Sequence, residues 1–343
     1  MKTKAYTYPS ASALATIHAW QWYPEDGNVK AVLLLHHGMA EHCGRYGDFL
    51  QAFADMGYAV FMHDMLGHGQ SCETPEDRGF FGDKDGYNAL LQDVRRLYDI
   101  ARGEYPDKKL VIAGHSMGSF IMRCFTARYP DLDYAAAIYV GTGGPNPLAN
   151  ISVAVTNVLG AVKGKRYRSK WLENTGFKGY NDHFEGRTSV DWLSRDTASV
   201  DDYVADDACG FTFTVAAYGD LGRLMLECGS KDWYARVPKD LPILFVSGQE
   251  DPVSNYGAGI RAVSDRLKAT GHTRVQVLLY PGARHEILRE TNSPEVYRDI
   301  DAFITKAALP ANKTLKTQPR TCILQVLGFL LPFLPRSGII KLE

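Results

Sequence analysis

Ser116 stands in Gly114-His115-Ser116-Met117-Gly118, a Gly-x-Ser-x-Gly pattern in which a serine hydroxyl can act as a nucleophile. The glycines matter because such a serine sits on a sharp, strained turn where a flanking side chain would strike the neighbouring backbone. A serine hydroxyl reacts poorly until a histidine takes its proton and a carboxylate orients that histidine. Two later stretches can supply these groups. Gly248-Gln-Glu-Asp251-Pro-Val253 offers Asp251, preferred over Glu250 and Asp232 because Pro252 fixes the turn behind it. Gly282-Ala-Arg-His285-Glu286 offers His285, preferred over His272, which falls in a turn before a strand. The tetrahedral intermediate also needs two backbone N–H donors. The spacing assigns these to Met117, after the serine, and Met39 in His37-Gly38-Met39, where Gly38 lets the backbone come close. The plainer reading of Ser116 is a helix N-cap.

These residues are useful only if strands deliver them to one place. Residues 109–113 form a short apolar run that predicts a buried strand, and Phe120, Ile121, Cys124 and Phe125 continue at helical spacing. Residues 17–23 predict an edge strand. Residues 31–36, 59–64, 135–141, 241–247 and 275–280 predict further strands, most of them apolar throughout. Leu90, Val94, Leu97 and Ala101 place an amphipathic helix over 87–102. Apolar strands alternating with helices predict an α/β architecture with a mostly parallel sheet. Asp251 and His285 then each follow a late strand, in the chain order Ser, Asp, His.

The alternation breaks between residues 141 and 237. Stretches 151–162 and 190–203 look helical, 211–226 is aromatic and apolar, and Trp171, Phe177, Tyr180, Phe184, Trp192, Phe211, Phe213 and Tyr218 are more aromatics than a solvated loop carries. The expected organisation is a core over 1–141 and 237–308, a helical cap over 142–236, and a linker with an apolar tail over 309–343. The tail is too short and too proline-broken to span a bilayer. Packing on its own domain is the preferred reading, with a dimer contact or a membrane surface as the others.

A net charge of −1 over 343 residues gives no reason to expect a nucleic-acid partner. Six scattered cysteines without a Cys-x-x-Cys pair suggest reduced thiols, and the first residues lack the apolar stretch of a signal peptide. The cytoplasm is therefore the expected location. His36, His37, His42, His63 and His68 fit no common metal-ligand spacing, and Arg289 stands where a His-Glu-x-x-His motif would need its second histidine. No metal site is expected from these spacings.

With these pieces in view, the chain resembles the monoacylglycerol lipase and lysophospholipase branch of the α/β-hydrolase superfamily, grouped with serine aminopeptidase-like hydrolases. The resemblance spans about residues 10–308. It rests on residues 37–46, 63–71, 114–118, 248–253 and 282–285, and Glu41-His42-x-x-Arg45-Tyr46 is the most branch-specific piece. It implies a serine ester hydrolase without metal or organic cofactor, and the expected reaction is cleavage of small-molecule single-chain acyl esters, monoacylglycerol- or lysophospholipid-like or smaller, through an acyl-enzyme intermediate. Ser116, Asp251 and His285 would be its triad, Met39 and Met117 its oxyanion hole, and Asp64 and His68 supporting residues. The cap does not resemble the short lid of animal monoacylglycerol lipases. The Gly-Gly-Pro-Gly of proline iminopeptidases is absent, and Ser116 replaces the nucleophilic aspartate of haloalkane dehalogenases. Two other readings stay open: amide hydrolysis, with Asp201, Asp202, Asp206 and Asp207 reading an amino terminus, and a non-catalytic binding module.

Overall fold

The computed structural model describes residues 1–309; the apolar tail reading lies outside the described residues. Eight strands form one sheet in the order β1-β2-β4-β3-β5-β6-β7-β8. They are β1 (Lys2–Pro9), β2 (Thr16–Tyr23), β3 (Ala31–His36), β4 (Tyr58–His63), β5 (Leu110–His115), β6 (Ala136–Val140), β7 (Ile243–Gly248) and β8 (Val275–Tyr280). From β4 to β8 every pairing is parallel, while β1 and β2 join antiparallel. Strands β3 to β7 are buried along their whole length because helices cover both faces.

Among the described residues ten α-helices run in chain order. Three precede β6: α1 (Gly47–Asp55), α2 (Gly86–Glu104) and α3 (Met117–Arg128). Five follow it: α4 (Ala149–Lys163), α5 (Lys170–Gly176), α6 (Thr197–Ala205), α7 (Val215–Gly229) and α8 (Lys231–Arg236). The last two are α9 (Ala258–Ala269) and α10 (Ser293–Ala308). Successive β3 residues serve opposite faces. Val32 and Leu34 pack with Val94, Leu97, Phe125 and Val263 of α2, α3 and α9, whereas Leu33 and Leu35 pack with Phe49, Phe53, Ile300 and Phe303 of α1 and α10. Full burial of each such side chain contributes about 1.5–3 kcal/mol. Because β3 leads to β4 on one side and β5 lies on the other, the loops after β3 and β5 part at their carboxyl ends. That crevice is where sheets of this kind bind ligands.

Two expectations need correction. Residues 17–23 are not an edge strand, since β1 pairs along all of β2, from Lys2 opposite Tyr23 to Pro9 opposite Thr16. Residues 190–203 are not one helix. Asp191–Leu193 make a single 3-10 turn, and α6 starts only after Asp196, whose carboxylate accepts from the Ala198 and Ser199 N–H groups. Within the aromatic and apolar stretch 211–226, α7 starts at Val215, capped by Thr214, so Phe211 and Phe213 precede it.

Candidate active site

Strand β5 ends at His115 and α3 begins at Met117, leaving Ser116 between them at φ 53°, ψ −120°. A non-glycine residue is rarely found there, and such strain concentrates at functional positions. The flanking glycines make the turn feasible. A Cβ on Gly114 would lie 2.3 Å from the Gly118 carbonyl oxygen, and one on Gly118 would lie 2.4 Å from that of His37. The Ser116 N–H donates to the Val140 carbonyl at 2.9 Å, and its side chain makes no capping bond, contrary to the N-cap reading. Among the described residues Ser116 Oγ has no hydrogen-bond partner, a state in which catalytic contacts commonly stand before substrate arrives. Gly38 brings the β3 loop within reach, since its added Cβ would be 3.1 Å from Ser116 Cβ. The Met39 and Met117 N–H groups likewise have no acceptor among the described residues.

His285 and Asp251 come together as the spacing anticipates: His285 Nδ1 lies 3.0 Å from Asp251 Oδ1. Asp251 is fully buried and also accepts from Ser247 Oγ at 2.7 Å and the Val253 N–H at 2.9 Å. Burial pushes its carboxyl up, but the neighbouring His285 and these donors outweigh that and hold it below the usual carboxylate value. The β6 loop presses against the imidazole, since a Cβ on Gly141 would lie 3.1 Å from His285 Cε1. The inserted segment closes the other side. The Glu286 N–H donates to the Leu193 carbonyl at 2.7 Å, and the Trp192 ring centroid is 5.1 Å from that of His285. Phe177 and Tyr180 pack on Trp192, whereas Trp171 is 60% exposed. The rejected alternatives lie elsewhere. Glu250 and Asp232 are exposed, and the His272 ring is held between the Leu267 and Val237 carbonyls.

The branch-specific motif acquires a physical role that sequence reasoning did not assign. Glu41 is buried and accepts from the Gly38 N–H at 2.5 Å and Tyr46 Oη at 2.9 Å, so it shapes the loop that carries Met39. Arg45 makes two bonds to Glu286, at 2.5 and 2.9 Å, and thereby grips the residue after His285. His115 lies between these groups. Its partners sit 74 and 170 positions away, so no local pattern could have exposed it. Asp64 accepts from the Cys43 and Gln70 N–H groups, and His68 Nε2 accepts from the Ala40 N–H, so both brace this loop.

The histidine cluster is structural in its geometry. His37 Nε2 accepts from the Met65 N–H, His63 meets Tyr8 Oη, and burial pushes His36 and His68 down to about 3. His42, Asp206 and Cys209 bring ligand atoms within 4.8 Å of one another. However, His42 Nδ1 accepts from the Gly44 N–H, which leaves the ring proton on Nε2, 2.8 Å from Asp206. That is a hydrogen bond, with the lone pair a metal would need facing the wrong way.

A serine on a strained strand-to-helix turn, in a mostly parallel sheet with a His–Asp pair after its last strands, defines a serine hydrolase of the α/β-hydrolase fold. A family model described as serine aminopeptidase, S33, matches residues 27–292, and the chain belongs to that family. It is 30% identical to the monoacylglycerol lipase of Mycolicibacterium smegmatis over 82% of this chain and 90% of that one. It is 28% identical to the monoglyceride lipase of Mus musculus over 81% of this chain and 82% of that one. A carboxyl esterase from Bacillus coagulans superposes with a TM-score of 0.83 at 29% identity, covering 90% of this chain and 99% of that one. The protein is a serine ester hydrolase.

Proposed function

We propose that this enzyme cleaves single-chain acyl esters, of the monoacylglycerol or lysophospholipid kind or smaller, through an acyl-Ser116 intermediate. Ser116 Oγ attacks the ester carbonyl while His285 Nε2 takes its proton, and Asp251 holds the imidazole in the required tautomer. The oxyanion forms between the Met39 and Met117 N–H groups. Collapse expels the alcohol, which leaves with the proton from His285. Water then gives its proton to His285 and attacks the acyl carbon, releasing the acid and restoring Ser116. The observation that carries this reading is the 3.0 Å His285–Asp251 contact beside a strained Ser116 and two unengaged amides.

The lipase names of the relatives support a glyceride-like substrate. Residues 142–236 act as the cap, with Phe177, Tyr180 and Trp192 the aromatic surface nearest the base. The exposed apolar face of α4 supports peripheral contact with lipid. The cytoplasm is the proposed location, supported by five free cysteines among the described residues. Three of the four cap aspartates are engaged, Asp201 with Arg187, Asp202 with Arg289 and Asp206 with His42, which counts against amide hydrolysis. The test is turnover of p-nitrophenyl esters of increasing chain length, monoacylglycerol, lysophospholipid and aminoacyl amides, each beside Ser116→Ala. Ester turnover that vanishes in the variant is expected. Turnover of amides alone would replace the ester reading, and turnover surviving in Ser116→Ala would end the serine mechanism.

A further inference from the structure

The residue before the serine is buried at the junction of the two loops that complete the site. His115 Nδ1 lies 3.1 Å from Glu41 Oε1 and 3.2 Å from Tyr46 Oη, and its Nε2 lies 3.3 Å from the His285 carbonyl oxygen. Tyr46 cannot donate to this ring, because its proton is committed to Glu41 at 2.9 Å. Both ring nitrogens therefore face acceptors, and only a doubly protonated ring donates to both. Charge leads to the same state. Glu41 and Glu286 bring two buried carboxylates, and Arg45 brings one guanidinium. Arg289 is part-exposed and directed at the Arg45 carbonyl, Ser199 and Asp202. A buried cluster of net charge −1 is costly, and a cationic His115 neutralises it.

We infer that His115 is a positioning residue that works as an imidazolium, tying the loop that carries the Met39 amide to the loop that carries His285. This rests on Ser116 and His285 being nucleophile and base. On one side the ring holds Glu41, which fixes the Gly38 N–H and hence the turn at Met39. On the other it holds the backbone of His285 itself. Donor and base are thus set against each other by one side chain, at a site where about 1 Å of misplacement costs about 100-fold in rate.

The proton state has a direction. Burial pushes His115 down, but the bond and charge of Glu41, the charge of Glu286 and the His285 carbonyl outweigh it and raise it above its ordinary value. The groups facing it are Glu41, Arg45 and Tyr46 from the β3 side and His285 and Glu286 from the β8 side. The coupling is complete below pH 6.5 and is lost as pH rises through the elevated value in the folded protein.

The test uses the full chain with p-nitrophenyl butyrate. We expect both His115 ¹⁵N resonances in the protonated range at pH 7, and a fall in kcat on the alkaline side. His115→Gln should lower kcat about 100-fold with KM held within about threefold, and should lack that alkaline fall. Glu41→Gln keeps the shape but weakens the charge, so its alkaline fall should move to lower pH; this arm decides the matter if His115→Gln does not fold. A neutral His115 at pH 7, or a His115→Gln enzyme with the parental kcat and pH profile, would overturn the inference. Failure of the underlying reading shows separately, as turnover surviving in Ser116→Ala while the His115 resonances remain readable.

Discussion

Asp251 holds a charge in a place that ought to suppress it. It has no solvent exposure, yet His285, Ser247 and the Val253 N–H together keep it ionised. Replacing it with Asn retains an acceptor for the Val253 N–H but removes the charge that, in the proposed mechanism, stabilises the imidazolium in the transition state. Asp251→Asn should lose about 10⁴-fold in kcat while remaining folded. The pH sign follows from its lowered value. The stabilisation it gives is present above the ordinary carboxylate value, about 4, and is lost as pH falls through the depressed value in the folded protein. Thermal melts from pH 7 to pH 3 should therefore show a steeper acid loss for the parent than for Asp251→Asn; equal slopes would remove Asp251 as the titrating group. Ser116, Asp251 and His285 could be found from sequence because each sits at a fixed offset from a strand end. Glu41, Arg45 and Tyr46 could be found only as a motif, since Glu286, which gives Arg45 its purpose, lies 241 positions away.

The central strands were readable because burial on both faces demands unbroken apolar runs, and residues 31–36 and 275–280 match β3 and β8 at both ends. Strand β1 offers no such signal. Its alternating Lys, Thr and Tyr residues are mostly exposed, and it is held by the β2 ladder and by Ser10 and Ala11 bonding to Asp93 of α2. The stretch 190–203 misleads for a related reason. Its composition suits a helix, but Arg195 is drawn out to Glu290 by two bonds. At this scale the tightest contact near the site is at Gly248, where an added Cβ would lie 2.0 Å from the Ala283 carbonyl oxygen. The atoms it would meet, on Ala283 and Arg284, are all backbone, so nothing can rotate away, and the Asp251 and His285 loops would be forced apart. Gly248→Ala should lower stability by about 1–3 kcal/mol and reduce turnover with it. Gly103→Ala, in α2 with open space around it, should instead stabilise by about 0.5–1 kcal/mol. Urea melts of the two variants check this pair, and a neutral Gly248→Ala would show that β7 and β8 can yield.

Across the whole molecule, α4 is the surface least suited to water. Leu148, Ile151, Val158 and Val162 recur on one side of the helix, and Val158 and Val162 are 64% and 73% exposed. Its opposite side is spent against α7, where Gly222 admits Val153. The helix carries no charge until Lys163, and exposed Lys163 and Lys170 follow the stripe in the chain. An apolar stripe with adjoining cations suits an anionic lipid surface, which is also where a single-chain acyl ester would be found. Among the described residues no helix is long and apolar enough to cross a membrane. Ile151→Asp with Val158→Asp places two charges on that stripe, at side chains that are 60% and 64% exposed. The double variant should co-sediment less than the parent with phosphatidylserine-containing vesicles and turn over vesicle-borne monoacylglycerol more slowly. Its turnover of soluble p-nitrophenyl butyrate should be unchanged, which separates surface docking from chemistry. Rising salt should weaken the parent's binding only in part, since the apolar contribution is not screened. Equal sedimentation of parent and variant would mean that α4 does not meet lipid, and that its exposed stripe serves some other contact.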